Sequence, residues 1–165
     1  MLSGFLKVQY SKKIRSTLYT SSSPTTTTTT TKTEQENEAL AHSFCTEIFQ
    51  KANFSLADEI LTPDFILRNP VLPSELTHGS EGVKKFASLV VDSSLGYQVT
   101  HNDTISKGDK VLIRWTFTGI IKKEMLGIPP GDKPITITGL DLFRITTDGK
   151  KIAEMWQQFS VGSWP

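Results

Sequence analysis

The chain has 165 residues, of which 37% are hydrophobic, enough apolar material for one domain with an appendage rather than several domains. Its 18 basic and 17 acidic residues hide an asymmetry: Lys7, Lys12, Lys13, Arg15 and Lys32 all precede the first acid, Glu34, which leaves 13 bases against 17 acids after it, a net of −4. An acidic domain without a basic patch argues against nucleic acid as the main partner, the one cysteine excludes an intrachain disulfide, and no apolar run approaches the ~20 residues of a membrane span.

Met1–Thr20 is rich in Ser, Lys and bulky apolar residues and free of acids. That composition fits an organelle transit peptide able to form a basic amphipathic helix, with a mitochondrial address. It equally fits a disordered tail on a cytoplasmic protein. Ser21–Thr33, with an unbroken run from Thr25 to Thr31, has nothing to bury and reads as a linker. Residues 1–33 are therefore expected to be leader and linker, and 34–165 the folded domain.

Glu34, Glu36 and Glu38 sit where a helix N-terminus favours negative charge. Leu40, Ala41, Phe44, Cys45, Ile48, Phe49 and Ala52 then recur at three- and four-residue spacing, one apolar stripe on a helix. Cys45 lies in the stripe and reads as a buried small hydrophobe rather than a nucleophile. His42 falls on the polar side and reads as solvated. A second short helix is expected over Ser55–Leu61, with Ser55 as cap and Pro63 as stop. Asp64–Asn69 reads as a strand ended by Pro70. Ser80 is the expected cap of a third helix that turns Val83, Phe86, Ala87 and Val90 inward. His78, in the turn before it, reads as a surface residue.

From Gly96 the period changes to two. Tyr97–Ser106 is a strand, Lys107-Gly108-Asp109 a tight turn, and Val111, Ile113, Trp115 and Phe117 alternate along the next strand. Pro129 and Pro130 hold the following loop out of any helix. In the strand after it, Asp141 shares a face with Ile137, Phe143 and Ile145. A carboxylate on a largely apolar face is costly unless it has partners or a job. Asp141 is therefore either an acid–base group or a carboxylate held by Arg144, Arg114 or a backbone amide. Asp148-Gly149 makes a hairpin turn. The last strand, Ile152–Val161, divides into Ala153, Met155, Gln157 and Phe159 on one face and Ile152, Glu154, Trp156 and Gln158 on the other. Three helices followed by long antiparallel strands give an α+β order.

Asp64-Phe65, Gly82-Val83, Gly108-Asp109-Lys110-Val111, Arg114-Trp115 and Thr118-Gly119 resemble the SnoaL-like polyketide cyclase (ester cyclase) family. Leu126-Gly127-Ile128-Pro129-Pro130, Gly139-Leu140-Asp141-Leu142-Phe143-Arg144 and Gly149-Lys150-Lys151-Ile152 with Trp156 extend the resemblance from Glu38 to Gly162. It implies the nuclear-transport-factor-two-like fold: a cone-shaped, curved antiparallel sheet packed with three helices around a hydrophobic pocket, often in a homodimer. It also implies cofactor- and metal-independent cyclase or isomerase chemistry on a small hydrophobic carbonyl compound, driven by an acidic side chain that removes and returns a proton. Carried over residue by residue, the family's acid–base aspartate falls on Gln157 and a common histidine on Met155, neither of which carries a proton near neutrality. A further polar pocket position falls on Asp141, which is titratable and is the candidate catalytic residue. Asn69, Trp115, Met155 and Gln157 are the expected substrate-binding residues, with Asn69 placed to hydrogen-bond an enolate or carbonyl oxygen. The alternative is a non-catalytic small-molecule-binding or dimerisation module of the same fold, for which Gln157, able to donate and accept, is suited.

Overall fold

In the computed structural model, which describes residues 31–162, helix α1 (Lys32–Ser43) begins two residues ahead of the expected start at Glu34. Thr31 is its cap. The Glu34 amide donates to Thr31 Oγ1 (3.2 Å) and the Thr31 amide donates to Glu34 Oε2 (2.8 Å), a reciprocal capping box. Glu34 Oε1 also accepts from the Gly108 amide (3.0 Å), which ties the helix start to a strand turn. The Thr31 and Gly108 amides together hold the Glu34 carboxyl at a pKa of about 2. The expected transit peptide and all but the end of the threonine run lie outside the described residues.

Past Ser43 the helix widens into a π-helical segment, Phe44–Gln50. Phe44, Cys45 and Ile48 stay buried, but Ala52 does not follow the stripe: it is exposed, in a left-handed conformation at φ 56°. Helix α2 (Leu56–Ile60) ends at Leu61, where strand β1 (Leu61–Arg68) already begins. The strand thus starts three residues before Asp64 and contains Pro63. A proline has no N–H for a ladder, and the pairing of β1 shifts register between Leu61 and Ile66 around it. Helix α3 (Gly79–Ser93) is preceded by His78, without a side-chain cap. Ser80 does not cap it; its hydroxyl donates to Asp58 Oδ1 (2.6 Å) on α2 instead. His78 is exposed.

Strands β2 (Ser94–Lys107), β3 (Lys110–Ile121), β4 (Ile135–Ile145) and β5 (Ile152–Val161) complete an unclosed five-stranded sheet in the order β1-β5-β4-β3-β2. Three pairings are antiparallel. β1 joins β5 in parallel, which makes the sheet mixed rather than antiparallel throughout. The sheet curves over α1 and α3, and Phe44, Phe65, Val83, Ile113, Phe143, Ile145 and Met155 fill the space between. One face assignment in β5 differs from the period-two expectation. Arg144 pairs with Glu154 but Ile145 pairs with Ile152, so Ala153 is an extra residue and Ile152 turns into the core. No helix among the described residues is long and apolar enough to cross a membrane.

Candidate active site

The concave face of the sheet and the helices enclose a cavity of about 90 Å³. Its wall is mostly Phe49, Phe86, Phe117, Met125, Ile137 and Phe159, with polar atoms contributed by Cys45, His101, Trp115, Asp141 and Gln157. From Gly139 onward β4 alternates: Gly139, Asp141, Phe143 and Ile145 are buried, as is Ile137 before them, whereas Leu140, Leu142 and Arg144 are half-buried on the other face; Thr138, also on that face, is buried. Asp141 lies between Ile113 on β3 and Gln157 on β5 and is only 4% exposed.

The ionic partners weighed for Asp141 are engaged elsewhere. Arg144 Nε donates to Glu154 (3.1 Å) and Arg114 Nε to Asp103 (2.6 Å). Removal from water pushes the Asp141 carboxyl up to about 7, with Trp115 and Gln157 drawing it partly back. Neither neighbour fully satisfies it: Asp141 Oδ1 and Trp115 Nε1 are both buried without a well-formed hydrogen bond. Burial and the Asp141 charge raise the Cys45 thiol well above its ordinary value, so Cys45 is a protonated wall residue.

Gln157 is fixed from behind. Its Oε1 accepts from Asn69 Nδ2 (3.0 Å), which leaves its Nε2 for Asp141. Asn69 itself follows the end of β1 and borders a groove on the outer face with Arg68 and Trp156. Of the expected set, Asp141, Trp115, Met155 and Gln157 meet at the cavity, and Asn69 orients Gln157 without lining it. The Trp115 indole lies across Gly139. A Cβ there would stand 2.3 Å from Trp115 Cζ2, so only glycine leaves room for the ring.

The mouth is bounded by the turn Met125–Ile128, closed by Met125 N–H to Ile128 O (3.0 Å) and Ile128 N–H to Met125 O (2.9 Å). Leu126 (φ 52°) and Gly127 (φ 81°) are both left-handed, as a two-residue primed turn requires. The conformation is costly for leucine, and it aims the Leu126 side chain at the cavity.

Two functional candidates went unseen in the sequence. His42 is half-buried and engaged rather than freely solvated: its Nδ1 lies 2.8 Å from His101 Nδ1, and its Nε2 lies 3.0 Å from Thr104 Oγ1. His101 lines the cavity. The alternation Tyr97, Val99, His101 was the available signal for its direction; nothing local in the sequence pairs it with His42.

A model of the family described as SnoaL-like polyketide cyclase matches residues 39–161. In structure the chain is similar to a candidate SnoaL-like polyketide cyclase from Jannaschia sp. CCS1, at 20% identity over 79% of this chain and 89% of that one, with a TM-score of 0.66. It is similar to TsrD from Streptomyces laurentii, at 24% identity over 76% and 89% of the two chains, with a TM-score of 0.65. A candidate polyketide cyclase from Bacillus cereus ATCC 10987 is 26% identical over 76% of this chain and 74% of that one, with a TM-score of 0.62. Among curated proteins no sequence matches the chain.

Proposed function

The chain belongs to the SnoaL-like polyketide cyclase family, and on that premise we propose that its cavity performs acid–base chemistry on a small hydrophobic carbonyl compound of polyketide type, as a cyclase or isomerase. One observation carries this reading: Asp141 stands in an apolar cavity without an ionic partner, with a pKa of about 7. A group titrating there both takes and returns a proton near neutrality. The unpartnered Trp115 Nε1 beside it is a donor for oxygen charge developing on an enolate, and Gln157 Nε2 is a second. At about 90 Å³ the cavity is smaller than the roughly 150 Å³ that admits benzene. A ring-sized substrate therefore enters by displacing Met125, Leu126 and Met155, side chains with rotamer freedom.

The test is deuterium incorporation at the α-carbons of 2-indanone in D₂O, followed by proton NMR. The protein is expected to accelerate exchange over buffer, and Asp141→Asn to lower the rate by ~10²-fold or more. A wild-type rate equal to buffer removes the acid–base reading.

A second reading, a non-catalytic binder, draws on Gln157 standing where the family resemblance places the acid. A ligand that raises the melting temperature equally in wild type and Asp141→Asn, without exchange, supports it. Under either reading a homodimer is proposed through the outer face of the sheet, where Leu112, Leu140 and Leu142 are half-buried and Trp156 is exposed. Sedimentation of Trp156→Glu against wild type checks it: the variant should be monomeric at concentrations where wild type is a dimer.

A further inference from the structure

The His42–His101 contact joins α1 to β2 across the rim of the cavity. The ring centroids are 4.8 Å apart, and the Nδ1···Nδ1 separation of 2.8 Å requires one ring to donate and the other to accept. His42 Nε2 meets the Thr104 hydroxyl at 3.0 Å, whereas His101 Nε2 is buried with no partner in the protein. His42 and Thr104 are half-buried, so this end of the chain of groups has access to solvent.

A β-bulge makes the arrangement. His101 pairs with Trp115 but Asp103 pairs with Arg114, so Asn102 is an extra residue in β2. Regular alternation over the same residues would put Thr104 on the outer face with Asn102. With the bulge, Thr104 stands opposite Ile113 and His101 opposite Trp115, both on the concave side, within reach of the same imidazole.

Two tautomeric arrangements satisfy these contacts. When His101 donates from Nδ1, its Nε2 offers a lone pair and His42 Nε2–H donates to Thr104. When His42 donates from Nδ1, His101 Nε2–H is an acid and Thr104 donates to His42 Nε2. Moving between them shifts one proton along the line Thr104–His42–His101. We propose that His101 is a second catalytic acid–base group of this cavity and that His42 and Thr104 relay its proton to and from solvent. The proposal deepens the acid–base reading above and rests on it.

In the forward step His101 Nε2 takes a proton from the α-carbon. The C–H electron pair becomes the enol C=C bond, and protonated Asp141 gives its proton to the carbonyl oxygen. His101 Nδ1–H passes to His42 Nδ1, His42 Nε2–H to Thr104 Oγ1, and the Thr104 hydroxyl proton to water. The α-hydrogen stays on His101 Nε2 until it exchanges with water in the cavity; the transfers then run backward, deliver a solvent hydrogen to the carbon and restore protonated Asp141. Burial and the proximity of His42 lower the His101 pKa, which keeps the ring neutral for this role. The other titratable groups among the described cavity-lining residues are Cys45, held protonated, and Asp141. Glu38 is half-buried one turn before His42 on α1, and Asp103 next to the bulge is paired with Arg114 (2.6 Å).

The experiment compares deuterium incorporation into 2-indanone by the full chain and by its His101→Gln, His101→Ala, His42→Gln and Asp141→Asn variants, with melting temperatures recorded for each. His101→Gln is expected to slow exchange by ~10-fold or more, and added imidazole to restore part of the His101→Ala rate. His42→Gln can hydrogen-bond but cannot pass a proton, so its rate is expected to depend on buffer concentration where the wild-type rate does not. A wild-type rate in His101→Gln beside an inactive Asp141→Asn overturns this inference and leaves the Asp141 reading standing. A wild-type chain no faster than buffer removes both. Should the histidine variants not fold, nitrogen-15 NMR of the wild-type imidazoles decides: one protonated and one bare Nδ1 is expected, and two bare Nδ1 atoms overturn the relay.

Discussion

Asp141 and Glu154 belong to the same β4–β5 ribbon, one opposite Gln157 and the other opposite Arg144, and both are nearly inaccessible, at 4% and 9% exposure. On the inner face Asp141 meets an apolar wall, an indole and an amide, and its pKa rises to about 7. On the outer face burial also pushes Glu154 up, but the hydrogen bonds and charges of Arg68 and Arg144 outweigh it and hold the carboxyl below its ordinary value. Arg68 also lies over the Trp156 ring, 5.8 Å from its centroid. Two carboxyls of low exposure thus differ, one a proton carrier and the other a fixed anion. Asp141 lies deep in an apolar cavity without a cation, whereas Glu154 lies nearer the surface between two partly exposed arginines.

The comparison breaks most readily at Asp141. In Asp141→Asn the ~10²-fold loss of 2-indanone exchange should come without loss of stability. The raised pKa means that Asp141 supports the fold fully below its unfolded value near 3.8 and loses that support as pH rises toward 7. At pH 8 the variant should therefore be more stable than wild type, by up to ~4 kcal/mol at about 1.36 kcal/mol per pKa unit, and the gap should close by pH 4. Denaturant midpoints across that range measure it. A variant that melts below wild type at pH 8 would make Asp141 a structural carboxylate instead.

Gly139→Ala tests the inner face through shape. Its Cβ meets Trp115 atoms at 2.3 and 2.6 Å, so the indole must leave the carboxyl, at a cost of about 1–3 kcal/mol for overpacking. Exchange should fall with it, which urea midpoints and the 2-indanone assay measure together. Glu154→Gln is the smaller effect and the opposite one. It should cost about 1–2 kcal/mol at pH 7, since the two arginines are themselves partly exposed, and leave the exchange rate unchanged. Because the Glu154 pKa is lowered, this penalty is present above its ordinary value near 4.5 and fades as pH falls through the folded value. Midpoints at pH 7 and pH 3 are the check.

Much of this contrast is legible in the sequence, because period-two geometry places Asp141 on the face of Ile137, Phe143 and Ile145. What alternation cannot foresee is an extra residue. The bulge at Ala153 exchanges the faces of Ala153 and Ile152, and the one at Asn102 turns Thr104 inward beside His101. Both insertions are set by how a strand must bend to follow its neighbours, information held by the sheet rather than by the segment. The parallel entry of β1 is likewise long-range, as is the pairing of His42 with a histidine 59 residues away. The Asn69–Gln157 bond has the same character: its members become neighbours only when β1 lies beside β5.

Strand β2, at 14 residues the longest in the sheet, is also an edge strand among the described residues. A flat edge of that length, with Leu95 and Ile105 well exposed, would offer a template to any passing strand. Its two register shifts, after Leu95 and after His101, divide it into shorter, differently twisted stretches that a straight strand cannot follow. The extra residue Asn102 thus interrupts the edge as well as setting the faces of its neighbours. A chain lacking that one residue would present a longer unbroken edge, and would be expected to form intermolecular β-structure at concentrations where the intact protein stays dispersed.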